Sequence, residues 1–499
     1  MKKKLFALIL AVCVTMSVTA CNNQTTSSAV TSGTSSTESK EDSKTESSTE
    51  SKEESKDESE AESKEEASAP ETSDTTTSAP ETSDTATSAP ETSDTATSAP
   101  ETSDTATSAP ETTTEDNTSD APTVETYKAG GLITEEMKEI SVLHEGNRVR
   151  LAGFLKKIAA GEEVTVGFIG GSITQGSSAG NNLCYAKLTA DWIQDTYPNA
   201  KVNYVNAGIG ATGSYIGVHR VTNDLLSKKP DLVFVEFSVN DTTEHTQRNI
   251  ESYDSLLRTI WNYETAPAVI TIATVQENGT SFQQYHYDII KKYDLPMISY
   301  GDAILSVIKK GDIAWKEISD DNIHPNVPGH NALSQMLTAY LSDAIADLDS
   351  ITGAESDFTV KASQAGFENG TLLTPINSQP TVSGFIKKNG YFGGFDGTWI
   401  ALAAAKPYPD DVGLTFEVEA KSIGLLYGKL TNSTATKADI YVDGELVTTI
   451  DAAFPGGWGN YVECAHIKSF NETSKHTVKI VPKTRDGGSV FYVSALAIS

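Results

Sequence analysis

The sequence predicts an α/β fold: a three-layer α/β/α domain, followed by an antiparallel β-sandwich and preceded by a long disordered segment. Three observations lead there. From about Tyr127 to Asp349, short β-branched runs alternate with stretches of helical spacing, the pattern of a parallel sheet wrapped by helices. Beyond about Ser356 the helical spacing ends and short alternating runs take over. Before Tyr127, large apolar residues almost vanish once the first twenty positions are passed.

Those first twenty positions carry Lys2, Lys3 and Lys4, then the apolar stretch Leu5 to Val14, then Val18-Thr19-Ala20-Cys21. A positive, then apolar, then small-residue order reads as a secretory signal, and the apolar run is too short for a membrane span. Val18-Thr19-Ala20-Cys21 resembles a bacterial lipobox, which implies cleavage before Cys21, lipidation at Cys21 and anchoring of the chain to a cell membrane, facing outward. An ordinary signal peptide with a chance cysteine is the alternative. Residues 1–20 are thus expected to be a lipoprotein signal peptide.

Residues 21–126 are mostly Ser, Thr, Glu, Asp, Lys, Ala and Pro, a composition that cannot bury enough apolar surface to offset chain entropy. A ten-residue repeat, with prolines at Pro70, Pro80, Pro90, Pro100 and Pro110, has no apolar face to stack, so it is expected to be a stalk rather than a solenoid. Its random-coil reach is on the order of 50 to 60 Å, longer if charge and proline extend it. Positions 22–125 hold five lysines against 26 acidic residues, so most of the net charge of −30 sits there. The rest is mildly acidic, and no basic face suggests nucleic-acid binding.

Within the α/β region, taken as residues 127–350, strands are expected at Val164–Ile169, Val202–Val205, Leu232–Phe237, Val269–Val275 and Pro296–Ser299. Helices are expected at Ala186–Thr196, Ile216–Leu226, Ile250–Tyr263 and Leu333–Leu348. Five strands with such crossovers suggest the flavodoxin-like order 2-1-3-4-5, which opens a crevice at the carboxyl ends of the first and third strands. Ser172 follows the first strand and Asn240 follows the third. Residues 356–499 are expected to be a separate β-sandwich. Alternation is clear in Leu414 to Val418, in Ala438 to Val442 before the turn Asp443-Gly444, and in His476 to Val481.

A serine hydroxyl is a poor nucleophile until a base takes its proton. Ser172 in Gly170-Gly171-Ser172-Ile173-Thr174 therefore needs partners. His324 is the candidate base, with Asp321 three residues earlier to accept its Nδ1 proton, and Pro325 keeps that segment out of a helix. Acyl transfer also needs donors for an oxyanion: the Ser172 amide, the Asn240 side chain, and an amide from the Gly208-Ile209-Gly210-Ala211 turn. The elbow lacks the second glycine of Gly-x-Ser-x-Gly, so the α/β-hydrolase class does not match.

The region from about Val164 to His330 resembles the SGNH hydrolase (GDSL-like) superfamily of esterases and deacetylases. The first block Gly-Asp-Ser appears as Gly170-Gly171-Ser172, with glycine replacing aspartate. The second-block glycine falls within Asn206 to Gly213, with Gly210 as the preferred oxyanion donor and Ala211 as the alternative. The third block Gly-x-Asn-Asp is Ser238-Val239-Asn240-Asp241, and Asp-x-x-His is intact as Asp321-Asn322-Ile323-His324. The resemblance implies a serine esterase with catalytic Ser172, Asp321 and His324 and an oxyanion hole of Ser172, Gly210 and Asn240, needing no metal or organic cofactor.

Export, a stalk and a sandwich rich in aromatics suit a polymer outside the cell, so the expected substrate is a short acyl ester, foremost acetyl, on a polysaccharide. An acyltransferase and a non-catalytic glycan-binding adhesin are the alternatives. Tyr391, Phe392, Phe395, Trp399, Trp458 and Tyr461 could stack on sugars or form the sandwich core. Cys184 and Cys464 read as buried free thiols, and no Cys/His cluster has zinc spacing. Glu236 reads as a polar group satisfied near the sheet end and Asp241 as a capping residue, while the histidines other than His324 read as structural.

Overall fold

The computed structural model describes residues 133–242, 245–364, 366–403, 411–483 and 489–499, except the side chains of positions 391, 402 and 403. The expected signal peptide, Cys21 and the stalk lie outside them. Both sheets below belong to one compact unit.

The first sheet contains β1 (Val142–His144), β2 (Glu163–Gly170), β3 (Lys201–Gly208), β4 (Leu232–Glu236), β5 (Ala268–Ala273) and β6 (Met297–Ser299), in the order β3-β2-β4-β5-β6-β1. Strands β2 to β6 are parallel and reproduce the expected 2-1-3-4-5 order. Strand β1 is an addition, pairing antiparallel with β6. Every residue of β4 and β5 is buried, which is why they read as unbroken apolar runs rather than alternating ones.

Ten α-helices are described, besides a short 3-10 turn at Leu226–Lys228: α1 (Glu135–Ser141), α2 (Val149–Ala159), α3 (Ser172–Gln175), α4 (Tyr185–Thr196), α5 (Ser214–Asp224), α6 (Thr246–Trp261), α7 (Gln283–Tyr293), α8 (Tyr300–Lys310), α9 (Trp315–Ile318) and α10 (Val327–Ala346). Phe168, Phe234 and Ile270 face a core shared with α2, α4, α8 and α10. Their strand neighbours Ile169, Val233, Val235 and Val269 face another, shared with α5, α6 and α7. Period-two alternation thus sorts each strand between two helical layers. Helices α6 and α10 begin several residues before the apolar spacing does, because their first turns are polar or capped. Asn326 caps α10, its side chain accepting from the Gly329 amide at 3.2 Å, with Pro328 in the first turn.

The second sheet contains β7 (Thr371–Leu373), β8 (Thr381–Ser383), β9 (Phe385–Phe392), β10 (Phe395–Ala403), β11 (Gly413–Lys429), β12 (Lys437–Val442), β13 (Glu445–Asp451), β14 (Tyr461–Pro482) and β15 (Ser489–Ile498). All its pairings are antiparallel, in the order β13-β12-β14-β11-β15-β10-β9, with β7 on β15 and β8 on β11. The long strands β11 and β14 shift register between Ala420 and Gly424, where such irregularities bend a strand. One continuous ladder thereby folds over its own core into a sandwich. Trp399 of β10 meets Phe416 of β11 edge-on at 5.4 Å although their strands are not neighbours. Asp443 (φ 55°) and Gly444 (φ 82°) make the tight β12–β13 turn that the sequence suggests.

The sandwich has its own core, yet it also completes one layer of the α/β region. Leu426, Val462, Cys464, Ala495 and Ala497 join the cluster built on Ile169, Tyr215 and Val235. Tyr215 and His466 are hydrogen-bonded across the same contact at 3.2 Å. Cys184 and Cys464 are both free and buried.

Candidate active site

Strand β2 stops at Gly170 and α3 starts at Ser172, so the hydroxyl stands where an extended chain turns into a helix. Both glycines before it are required by close approach. A Cβ on Gly170 would lie 2.1 Å from Thr174 Oγ1, and one on Gly171 would lie 1.9 Å from Asn240 Oδ1. The space that a side chain at position 171 would enter is therefore occupied by the Asn240 carboxamide.

The three residues expected to act together do meet. Ser172 Oγ is 2.9 Å from His324 Nε2, and His324 Nδ1 is 2.7 Å from Asp321 Oδ2. A carboxylate can only accept, so Nδ1 carries the proton and Nε2 is free to accept from the serine hydroxyl. Asp321 also folds its own loop, because Oδ1 accepts from the amides of Ile323 and His324 at 2.7 and 2.6 Å. Partial burial alone would raise the Asp321 carboxyl, but hydrogen bonds from the His324 ring and these amides outweigh it and hold it below the usual carboxylate range. The loop is clamped from outside by Ser319, whose hydroxyl reaches the carbonyls of Asp321 and His324, and by Trp315 Nε1, which donates to Asp321 at 2.6 Å.

The opposite wall corrects one expectation. The Gly210 amide is not directed at an acyl oxygen, because it donates to Gln175 Oε1 at 2.9 Å. The Gly208 amide donates to Asn206 Oδ1 and the Ile209 amide to the Gly170 carbonyl. Among the described residues the Ala211 amide has no partner, and Ala211 lines the cavity with Ser172 and Asn240. It is held at φ 58°, a left-handed conformation rare for a residue with a side chain. The available donors are therefore the Ser172 amide, the Ala211 amide and Asn240 Nδ2. Asn240 Oδ1 is buried against Gly171 without a partner, which leaves Nδ2 for the cavity. An unpaired buried carbonyl costs about 1 to 3 kcal/mol, so this orientation is maintained against a penalty.

Behind these groups lies a buried polar frame that the sequence disclosed only in part. Ser238, standing where the resembling block has glycine, locks β4 to the end of β5. Its hydroxyl accepts from the Thr274 amide at 2.6 Å and reaches the Thr274 carbonyl at 3.0 Å. Glu236 is fully buried and bridges Thr274 Oγ1 at 2.7 Å and Thr174 Oγ1 at 3.3 Å. Burial pushes its carboxyl up to about 7 against the opposing pull of those hydroxyls. Arg220, also buried, donates to the carbonyls of Ala207 and Gly170 at 2.6 and 3.0 Å, tying the ends of β3 and β2. Asp241 caps α5 by accepting from the Ser214 amide at 2.8 Å, and its other oxygen meets the buried His286 at 3.0 Å. His330 Nε2 donates to the Ser177 carbonyl and Nδ1 accepts from the Tyr185 amide, both at 3.2 Å, and burial lowers its pKa to about 4, so it stays neutral.

The cavity, about 630 Å³, has a wall that no single motif announces. Gly393, Gly394, Trp458, Asn460 and Tyr461 come from the sandwich. Gly394, at φ 90°, presses on Ile209 of the turn beside the nucleophile, where a Cβ would come within 2.4 Å of its side chain. Trp458 is 71% exposed and stacks on Tyr461 at 4.9 Å. The aromatics thus divide: Phe395 and Trp399 are core, Phe392 stacks on Tyr492, and Trp458 and Tyr461 face the cavity. The side chain of Tyr391 lies outside the described set. A sequence separation of nearly three hundred residues hides this wall from any local pattern.

Residues 168–332 match the model of the GDSL-like lipase/acylhydrolase family. Among solved structures, a two-domain esterase active on acetylated mannans is 32% identical, covering 72% of this chain and 98% of its own, with a TM-score of 0.67. The same esterase co-crystallised with mannopentaose matches at 32%, over 72% and 97%, with a TM-score of 0.66. An acetylxylan esterase from Geobacillus stearothermophilus is 19% identical over 36% of this chain and 94% of its own, with a TM-score of 0.30. Among curated proteins, none matches the sequence significantly.

Proposed function

The chain belongs to the GDSL-like lipase/acylhydrolase family of carboxylic ester hydrolases, and from that membership we propose that it is a surface-anchored serine esterase removing O-acetyl groups from polysaccharide. The observation that carries the reading is the unbroken run Asp321–His324–Ser172, opening into a cavity whose far wall is the Trp458–Tyr461 stack. An exposed aromatic pair gives a flat apolar platform suited to a sugar ring. The 32% identical esterase, active on acetylated mannans, points to mannan as the first polymer to try.

Ser172 Oγ attacks the acetyl carbonyl carbon while its proton passes to His324 Nε2. The carbonyl π electrons move to oxygen, where the Ser172 and Ala211 amides and Asn240 Nδ2 receive the charge. His324 returns the proton to the sugar oxygen as the C–O bond breaks, leaving an acetyl-serine and a free sugar hydroxyl. Water then attacks the acyl carbon with His324 as base, and as the acyl–Oγ bond breaks His324 returns that proton to Ser172 Oγ, releasing acetic acid, which ionises to acetate. Asp321 keeps the ring in the required tautomer and balances the imidazolium. Acetate release from acetylated mannan should fall by about 10⁴-fold or more in Ser172→Ala; full activity in that variant would refute the assignment.

Export and tethering complete the proposal. Acylation at Cys21 and a stalk through residue 126 would hold the enzyme at the cell surface with room to reach a polymer. Cys21→Ala should shift the protein from the membrane fraction to the medium, and retention in the membrane would refute the anchor.

A further inference from the structure

Resting on the esterase reading of the same site, we infer that Gln175 is a positioning residue that selects which amide of the facing turn receives the oxyanion. Gln175 closes the helical turn that begins at Ser172, with its own amide donating to the Gly171 carbonyl at 2.9 Å. Its place relative to the nucleophile is therefore set by one turn of helix. From there Oε1 takes the Gly210 amide at 2.9 Å. The preceding amides of the turn are also taken, Gly208 by Asn206 Oδ1 and Ile209 by the Gly170 carbonyl. Asn206 in turn donates to the Thr174 carbonyl at 2.8 Å, so two side-chain amides bind the turn to residues 174 and 175.

Three consecutive amides of the turn are engaged, and the next, Ala211, which lines the cavity, is the one left without a partner among the described residues. That result requires Ala211 to sit at φ 58°, which an L-residue with a side chain rarely adopts unless its neighbours impose it. Backbone contact reinforces the imposition. A Cβ on Gly208 would lie 2.2 Å from the Gln175 nitrogen, so the two segments touch with no room for slack. Without an acceptor at residue 175, the Gly210 amide competes for the cavity, the peptide can rotate, and Ala211 can relax. Gln175, Gly210 and Ala211 form only a small part of the cavity lining, so most of the surface that binds substrate stays in place, whereas the transition state depends on a donor within a fraction of an ångström.

Gln175→Met keeps the length and removes the acceptor, and because residue 175 is exposed the fold is not at stake. In the full-length protein, with p-nitrophenyl acetate as substrate, kcat should fall about 100-fold while KM changes less than about threefold. The affinity for an alkylboronic acid, which forms a tetrahedral adduct on Ser172, should fall in parallel with kcat/KM, and Gln175→Ala should repeat the pattern. The melting temperature should be unchanged in both. A kcat within about twofold of the parent, or a loss carried by KM alone, would overturn the role of Gln175 and leave the esterase reading standing. An inactive parent protein whose Ser172 resists a fluorophosphonate would instead overturn the esterase reading itself.

Discussion

The parallel sheet and the sandwich contribute to the same cavity by opposite means. On the parallel sheet, β4 and β5 are buried at every residue, and Ser172, Ala211 and Asn240 stand just past strand ends, where backbone hydrogen bonding stops and side chains take over, while the loop between α9 and α10 brings Asp321 and His324 to them. On the sandwich, strands such as β12 and β14 alternate between core and solvent, and the cavity residues sit in the β9–β10 hairpin, in the loop that leads into β14 and at that strand's first residue, Tyr461. The first arrangement places a few atoms within tenths of an ångström; the second offers a broad surface. Chemistry tolerates little displacement, while recognition of a polymer tolerates more, and the two regions divide accordingly.

The division can be broken at its tightest point. Gly171→Ala would put a methyl group 1.9 Å from Asn240 Oδ1. The carboxamide must move and withdraw Nδ2, so kcat should drop by about 10² to 10³ with the protein still folded, as steady-state kinetics beside circular dichroism would show. Unchanged kcat would mean that Asn240 is not a donor.

A second variant asks whether the two regions are one folding unit. Leu426 of β11 is fully buried in the core it shares with Ile169 and Val235. Leu426→Ala should cost about 2 to 5 kcal/mol and lower a single calorimetric transition that includes both sheets. Two separated transitions, with only one displaced, would show the sandwich to be independent.

Glu236 links the comparison to pH. Its carboxyl has an ordinary value of 4.5 and is raised to about 7 in the fold by burial. The folded state therefore holds the proton more tightly, and the associated stability is complete below about 4.5 and disappears as pH rises toward 7. The shift corresponds to at most about 3 kcal/mol. Glu236→Gln, neutral throughout, should flatten that part of the pH–stability curve in urea unfolding, and an unaltered slope would count against a raised Glu236.

The smallest effect belongs to the sandwich. Trp458→Ala should raise KM for an acetylated mannan oligosaccharide by about 2- to 10-fold, the worth of one lost stacking contact. Hydrolysis of p-nitrophenyl acetate should be unaffected. If both substrates suffer equally, Trp458 supports the reacting groups rather than the polymer.

Much of this was legible in the sequence, and the reason differs from residue to residue. Strands β2 to β6 show because burial on both faces demands apolar runs, and crossover order follows from their alternation with helices. Asp321 and His324 show because their contact is made within one short loop. Strand β1, three residues long, buries too little to leave a pattern, and α7, where no helix is expected from the sequence, opens on the polar Gln283-Gln284. The Gly210 amide was misassigned because a sequence states which residues form a turn but not where each N–H points. That direction depends on Gln175 and Asn206, which bind the turn from the facing segment.

By itself the sequence determined the α/β pattern, the order of the five parallel strands, and the identity of a serine, a histidine and an aspartate suited to acyl transfer. Periodicity, loop-local contact and motif order are properties of the chain as written. Only the tertiary structure decided that Ala211 offers the free amide, that Asn240 occupies the space vacated at Gly171, and that Trp458 stands across the cavity from Ser172. Each of these depends on groups far apart in sequence meeting at atomic distance, and such meetings are settled by how two sheets pack on one shared core.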